Sequence, residues 1–277
     1  MTPELTDRPA LARARRRAAG APADFLHAET IADLQERLAE VKRTFTAPAV
    51  VTGHPELWAS AFPQARVVAD AELLALEPGA HDLVIHGLAL HWANDPVGQL
   101  VQCRAALKPD GLLLAALFGG QTLHELRAAL AEAEAAVSGG LSPRVLPMGE
   151  IRDLGALLQR AGFALPVADA FTQRVSYRDT LHLMHDLRAM GETNALTARP
   201  RRFARRALFA AAEAIYRASF GTDDGRLPAT FEIVVLTGWA PHDSQPKPLR
   251  PGSAAARLAD ALKVPEQNPN GQDPPRD

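Results

Sequence analysis

The chain has 277 residues, a hydrophobic share of 47% and a formal net charge of −2 at pH 7. That length allows one large domain or one domain with an appendage, and the near-neutral charge gives no general attraction to nucleic acid or an anionic membrane. No apolar run approaches the roughly 20 residues of a membrane helix, and the charged first residues lack the apolar centre of a secretory signal. Cys103 is the single cysteine, which excludes an intrachain disulfide and agrees with a reducing compartment, so we expect a cytoplasmic protein.

Residues 1–46 predict an N-terminal helical arm. Residues 7–19 are typical of a short basic helix, with arginines at Arg13, Arg15, Arg16 and Arg17. This helix is either a solvated arm or a contact for an acidic partner or a lipid surface, so membrane contact is at most peripheral. A second helix follows, with apolar residues at spacings of three and four (Ile31, Leu34, Leu38, Val41 and Phe45). We expect that apolar stripe to lie on a sheet.

Two continuously apolar runs with a helix between them form the centre of the chain. The first extends from Asp82 to Trp92 and the second from Leu112 to Phe118. Asn94-Asp95-Pro96 supplies the N-cap and first-turn residues of the intervening helix. Apolar runs without alternation are typical of parallel strands buried on both faces, so this segment predicts a right-handed βαβ crossover. Shorter strands are expected at 47–53 and 66–70, and together these elements predict an α/β domain over residues 47–242.

The second half of that domain predicts helices at 122–137, capped by Thr122, and at 150–161, then a strand at 171–177. Residues 178–222 predict a helical insert with helices at 180–190 and 201–220. Its basic stretch at 199–206 is either solvated or a surface for an acidic partner. Phe231 to Trp239 is the last strand, expected to pair antiparallel at the sheet edge. Residues 243–277 are rich in Pro, Gln and Asn and are expected to be largely disordered.

Several phrases give the chain a resemblance to a known superfamily. Residues 81–111 read HDLVIHGLALHWANDPVGQLVQCRAALKPDG. This segment resembles the fourth strand, fourth helix and following turn of class I S-adenosylmethionine-dependent methyltransferases. Four further phrases are similar to the methyltransferase-like assembly factor 5 of respiratory complex I and its bacterial relatives: FGGQTLHELR (118–127), MGETNA (190–195), PATFEI (228–233) and GWAPH (238–242). A neighbouring family with the same core is the malonyl-carrier-protein O-methyltransferase of biotin synthesis.

The resemblance implies a Rossmann-like class I methyltransferase fold, with a mostly parallel sheet and an antiparallel last strand. It implies S-adenosylmethionine as cofactor and a protein client, a complex I subunit, while nucleic acid is not expected as a partner. Three functions remain open. They are a client-binding assembly factor with a degenerate cofactor site, an active methyltransferase on a protein or a carrier-bound acid, and a protein-arginine hydroxylase.

The resemblance places the cofactor contacts at Gly53, Asp70, Ala71 and His86. The family needs a glycine-rich turn and an acidic residue after the first strand, but residues 50–55 read VVTGHP, with one glycine and no carboxylate. Asp70 has two alignments: it faces adenine at the end of a third strand, the second strand and its helix being deleted, or it is the ribose ligand of a shortened second strand. The spacing to Asp82 favours the first. With one strand–helix unit and most of the glycines missing, we expect the cofactor to bind poorly or not at all.

His91 is the candidate catalytic residue, because it follows a buried run at the end where open α/β sheets bind substrates; a plain core histidine is the alternative. We expect His86 and His91 to lie on one strand and, being five residues apart, to point to opposite faces. His182, His185 and Asp186 share one helical face and have the ligand types of a non-haem iron site. Helical faces often collect such residues, so no metal is predicted.

Overall fold

A computed structural model describes residues 4–246, and its centre is a sheet with the strand order β2-β1-β3-β4-β6-β5. The strands are β1 (Pro48–Thr52), β2 (Arg66–Ala69), β3 (His81–Gly87), β4 (Leu107–Phe118), β5 (Ala164–Tyr177) and β6 (Leu227–Trp239). The first four pair in parallel, and β6 pairs antiparallel with both β4 and β5. The predicted α/β class, the βαβ crossover and the antiparallel last strand are confirmed. Of the predicted tail, residues 247–277 lie outside the described residues.

The position of the last strand differs from the prediction. β6 lies inside the sheet between β4 and β5, and β5 forms the edge. The burial of the residues explains this order. The run from Ile233 to Leu236 is fully buried, as in a strand that is covered on both faces. In contrast, β5 alternates between half-buried and exposed residues from Phe171 onward. The expectation of an edge position for β6 was therefore wrong.

The helices of the described residues cover both faces of this sheet. They are α1 (Arg8–Ala18), α2 (Phe25–Glu40), α3 (Pro55–Ala61), α4 (Pro96–Ala106), α5 (His124–Ser138), α6 (Ile151–Arg160), α7 (Thr180–Ala189) and α8 (Arg206–Phe220). Asp95 caps α4 through a hydrogen bond from the Gly98 amide, as predicted. Thr122 does not cap α5, because its hydroxyl donates to the carbonyl of Glu232 on β6. Each described helix is too short or too polar to span a bilayer.

Two apolar layers hold these elements together. On one face, Ile85 of β3 and Ile233 of β6 join a core that includes Leu34 of α2 and helices α5, α7 and α8. The predicted stripe of α2 lies on this layer, with Ile31 and Leu34 buried and the other members partly buried. The opposite face packs against α4 and α6. The sheet is therefore buried on both faces, and the carboxyl ends of its parallel strands are the edge at which such sheets bind ligands.

Cys103 packs in the second of these layers and is fully buried. Burial raises the pKa of its thiol to about 12, so the reactive thiolate is suppressed at neutral pH. We expect iodoacetamide to leave Cys103 unmodified in the native protein and to alkylate it rapidly after addition of urea. Mass spectrometry of the two samples checks this, and equal labelling in both would contradict the packing.

Two buried histidines make stability depend on pH. Burial lowers the pKa of His27 to about 3 and of His86 to about 4. The unfolded chain therefore takes up protons at its ordinary pKa of about 6.5, whereas the folded chain does not, and the free energy of unfolding falls as the pH drops from 7 to 5. The loss is up to about 2 kcal/mol per histidine at pH 5. Urea unfolding of His86→Gln should show a shallower pH dependence than the wild type, while the exposed control His185→Gln should not.

Candidate functional site

The ends of four strands bring the candidate site residues to one edge of the sheet. Gly53 follows β1, Asp70 follows β2 and Phe118 ends β4. Beyond β3 the chain makes a short 3₁₀ turn, Leu90–Trp92, which carries His91. Parallel α/β sheets bind their ligands at this edge, so the fold brings the predicted residues to the expected place.

Helix α1 lies against this edge and is not a solvated arm. Arg15 donates from Nη1 to both carboxylate oxygens of Asp70, at 2.8 and 3.0 Å, and Arg8 donates to Oδ2 at 3.2 Å. A second nitrogen of Arg8 donates to the backbone carbonyl of Asp70. The side chain of Asp70 is 5% exposed and that of Arg15 10% exposed. Burial alone would raise the pKa of Asp70, but the two arginines hold it below its ordinary value. The basic helix therefore contacts an acidic partner within its own chain.

The residues at β1 and β2 do not fit an adenosyl group as they are arranged. A sugar bound through Asp70 needs free carboxylate oxygens, and both oxygens are bonded to arginine. The space in front of Gly53 is also taken, since a Cβ built there would collide with the guanidinium of Arg15. Pro55, two residues on, starts α3 and has no amide hydrogen to donate.

The sheet order gives Asp70 the same position under both alignments. β2 pairs directly with β1 over four residues, from Ala49 with Arg66 to Thr52 with Ala69, and no strand lies between them among the described residues. The sheet of the described residues has six strands, in agreement with the predicted loss of one strand–helix unit near the N-terminus. Asp70 stands beside the end of β1 under either alignment, which is where a carboxylate can approach the sugar of a nucleoside.

The other two predicted cofactor contacts lie behind Asp70. The ring of His86 is buried and its Nε2 lies 2.8 Å from Oε1 of Gln99 on α4. The amide nitrogen of Gln99 donates to the carbonyl of Ala71 at 3.0 Å. His86 and Ala71 are therefore linked through one glutamine, an arrangement that supports the loop after β2. Direct contact of either residue with a cofactor stays a prediction.

A second cavity, of about 250 Å³, opens beside this edge between β4, α5, α7 and the segment after α7. Its walls are mostly apolar, formed by residues such as Leu123, Leu126, Val145, Met148, Met184 and Phe231. Its polar lining includes Glu192, Thr193, Asn194 and two arginines, Arg144 and Arg188. An apolar cavity with a few fixed polar groups is the usual form of a binding site. The helical insert supplies one wall, through α7 and Phe209 of α8.

Glu192 is the distinctive polar group of this cavity. Its Oε2 accepts a hydrogen bond from Trp92 Nε1 at 2.6 Å and lies 3.3 Å from His91 Nε2. Burial would raise the pKa of Glu192, but the contact with His91 and the nearby Arg15 and Trp92 lower it to about 2, so the group is an anion. Its other oxygen, Oε1, has no hydrogen-bond partner among the described residues. A buried anion with a free acceptor is costly unless a donor completes it.

His91 lies at this site, although the predicted geometry was wrong. β3 ends at Gly87, and Leu88 has a positive φ of 44°, so the chain leaves the strand before His91. The ring instead packs 4.7 Å from that of Phe118 and faces Glu192. His91 and His86 are thus separated by a change of backbone direction and not by the alternation of one strand. The catalytic role of His91 stays a prediction.

The other candidate clusters have structural partners. The ring of His182 makes an edge contact with Tyr177 at 5.4 Å, and no group of three His, Cys, Asp or Glu side chains suited to a metal occurs within residues 4–246. In the basic stretch, Arg199 donates to Asp7 at 2.8 Å and thereby fixes the start of α1. Arg202, Arg205 and Arg206 are exposed.

Sequence reasoning missed two features of the site. Glu192 belongs to the motif MGETNA, on which part of the family resemblance rests. Nothing in the local sequence indicates that this glutamate is buried. The ion pairs of Asp70 join residues 55 and 62 positions apart, a distance that local patterns do not reveal. The paired spacing of Arg8 and Arg15, seven residues on one helical face, was the available signal.

The chain is similar in sequence to a known domain family and to several known proteins. Residues 29–115 match the Methyltransferase domain family. The arginine-hydroxylase NDUFAF5 of Danio rerio is 43% identical over 205 residues, and that of Homo sapiens 40% identical over 210 residues. These alignments cover 74% and 76% of this chain but 64% and 61% of the relatives, so the chain spans about three fifths of their length.

Two further proteins are similar to this chain. A malonyl-[acyl-carrier protein] O-methyltransferase of Halorhodospira halophila is 36% identical over 173 residues, which cover 62% of this chain and 57% of that protein. Among solved structures, a Bacillus halodurans protein described as a methyltransferase aligns with a TM-score of 0.48 and 15% identity, over 76% of this chain and 99% of its own. The domain match and the identities of 40% and 43% with the NDUFAF5 proteins support the assignment of this chain to the methyltransferase-like NDUFAF5 family.

Proposed function

We propose that this protein binds an arginine side chain of a client protein, a subunit of respiratory complex I, and acts in the assembly of that complex in the cytoplasm. The names of its NDUFAF5 relatives specify arginine as the group acted on. The chain spans only part of those relatives, so the proposed client group rests on the chemistry of its own cavity. The observation that carries the proposal is the buried Glu192 carboxylate with one free oxygen.

The cavity suits the two parts of an arginine side chain. Its walls of leucine, valine, methionine and phenylalanine can cover the aliphatic stem. Glu192 can accept hydrogen bonds from the guanidinium, which binds carboxylates through a rigid set of N–H donors. Trp92 and His91 already hold one oxygen of Glu192 in place, so the free oxygen is oriented before a ligand arrives.

The charges around the cavity are compatible with a cationic ligand. Arg144 is paired with Glu134 at 2.6 Å, so its charge is largely compensated. Arg188 is exposed, so solvent reduces its repulsion of a cationic ligand without removing its charge. The hydrogen bond and contact that Glu192 makes among the described residues are with Trp92 and His91 and not with Arg144 or Arg188, so its negative charge can attract a cationic ligand.

Weak binding of S-adenosylmethionine is the second part of the proposal. The family implies this cofactor, but the turn after β1 holds one glycine and Asp70 is bonded to Arg8 and Arg15. A hydrogen bond to a charged group contributes about 1.5–3 kcal/mol, and a sugar must first displace such bonds to reach Asp70. We therefore expect client binding to be the main activity.

A second candidate is methyl transfer to a carrier-bound acid. It is favoured by the exposed Arg188 at the cavity, which could attract a carboxylate. The malonyl-carrier-protein methyltransferase relative also aligns with this chain. The two candidates differ in their partners, one being a complex I subunit and the other an acyl carrier protein.

Affinity purification of the tagged full chain from its own cells separates these candidates. We expect a complex I subunit to be enriched over a control purification with Glu192→Gln, identified by mass spectrometry. Recovery of an acyl carrier protein at equal levels with both baits, without complex I subunits, would reject the client proposal.

A further inference from the structure

Helix α1 is held at the sheet edge by contacts that are separate from its arginine pairs. Leu11 is buried against Trp92 and Leu196. Ahead of the helix, the amide of Asp7 donates to the carbonyl of Ala195 at 2.7 Å, and the amide of Thr197 donates to the carbonyl of Leu5 at 2.9 Å. The ion pair of Asp7 with Arg199 adds a side-chain contact at the same end. This segment is therefore a docked element with its own attachment.

The arginines of α1 occupy the atoms that a nucleoside would use. Both oxygens of Asp70 are bonded to Arg15, and the guanidinium of Arg15 fills the space in front of Gly53. Nε and Nη2 of Arg15 have no hydrogen-bond partner among the described residues, although the side chain is almost fully buried. The arginine is therefore incompletely satisfied where it lies, and its binding there is weaker than a fully bonded arrangement.

We propose that α1 is an intramolecular latch on a nucleoside-binding crevice, in which Arg8 and Arg15 compete with the two hydroxyls of a ribose for Asp70. Arg15 of the latch contacts the segment that carries Glu192 of the client cavity. A Cβ at Gly191 would press on Arg15, and the next residue is Glu192. Movement of α1 away from Asp70 would free its oxygens and the space at Gly53 together, since one side chain blocks both. The poor fit of the crevice to a nucleoside is then due to the docked position of α1 and not only to the residues of the crevice.

The test is calorimetric titration of S-adenosylhomocysteine into the full chain. The variant Arg8→Ala/Arg15→Ala should bind this nucleoside at least about tenfold more tightly than the wild type, the ratio that corresponds to one charged hydrogen bond no longer displaced. The matched control is Arg13→Ala/Arg17→Ala, which removes the same charge from exposed positions of the same helix and should leave the affinity unchanged.

A second variant covers the case in which the first does not fold, because it leaves Asp70 without a counter-ion. Asp7→Asn/Arg199→Ala loosens the docking of α1 and keeps both latch arginines, and it should also bind the nucleoside more tightly. Weaker binding by the arginine variant would show that Arg15 is a ligand contact and would overturn the latch. Unchanged affinity in every folded variant would overturn it as well.

Discussion

Replacing Glu192 with glutamine is expected to weaken the binding of a blocked arginine peptide by about tenfold to a hundredfold. Glutamine keeps the size of the side chain, and its amide oxygen can still accept from Trp92, which now bonds Glu192 at 2.6 Å. The substitution removes the negative charge that a guanidinium needs, and a hydrogen bond to a charged group contributes about 1.5–3 kcal/mol. Titration calorimetry with the peptide measures the change.

A matched control keeps this experiment specific. Glu132→Gln removes one negative charge from an exposed position of α5 and should not alter the affinity. The same peptide with citrulline in place of arginine should bind the wild type weakly and should lose little more with Glu192→Gln. Equal binding of arginine and citrulline peptides by the wild type would show that the carboxylate does not recognise the client group.

Replacing Asp70 with alanine is expected to lower the free energy of unfolding by about 3–5 kcal/mol. The change strands Arg15, a cation that is 10% exposed, without its counter-ion, and a broken buried pair costs about that much. Urea unfolding at pH 7 measures the loss. The exposed control Asp223→Ala should stay within about 0.5 kcal/mol of the wild type.

The pH dependence of the same pair has a definite sign. The pKa of Asp70 is lowered in the folded chain, so the pair contributes stability above the ordinary aspartate pKa of about 4 and loses it as the pH falls below that value. Asp70→Ala should therefore flatten the acid side of the stability profile. A double-mutant cycle with Arg15→Ala isolates the pair, and additive losses would contradict the coupling inferred from the 2.8 Å contact.

The strands were predictable where the residue pattern reports burial directly. The continuous runs that became β3 and β4 predicted buried parallel strands, and the helix between them followed from Asp95 and Pro96. The sheet order on the antiparallel side was not predictable in the same way. β6 pairs with β4 across more than a hundred residues of sequence, and only the absence of alternation in β6 pointed to an inner position.

The site was predictable in position but not in its contacts. The predicted strand ends placed Gly53, Asp70 and His91 at one edge of the sheet. This was possible because the topology of an open α/β sheet determines where its ligands bind. The hydrogen-bond partners of these side chains come from distant parts of the sequence. Arg15 donates to Asp70, and Trp92 donates to Glu192. The turn at Leu88 also redirected His91, and its positive φ is unusual for a leucine and left no mark in the sequence.

The most direct measurement is the structure of this protein in complex with the client subunit recovered by affinity purification. We expect the guanidinium of one client arginine to lie within hydrogen-bond distance of Glu192 Oε1, with its aliphatic stem between the leucines and methionines of the cavity. A complex in which the client contacts another face and Glu192 keeps its free oxygen would contradict the proposed function.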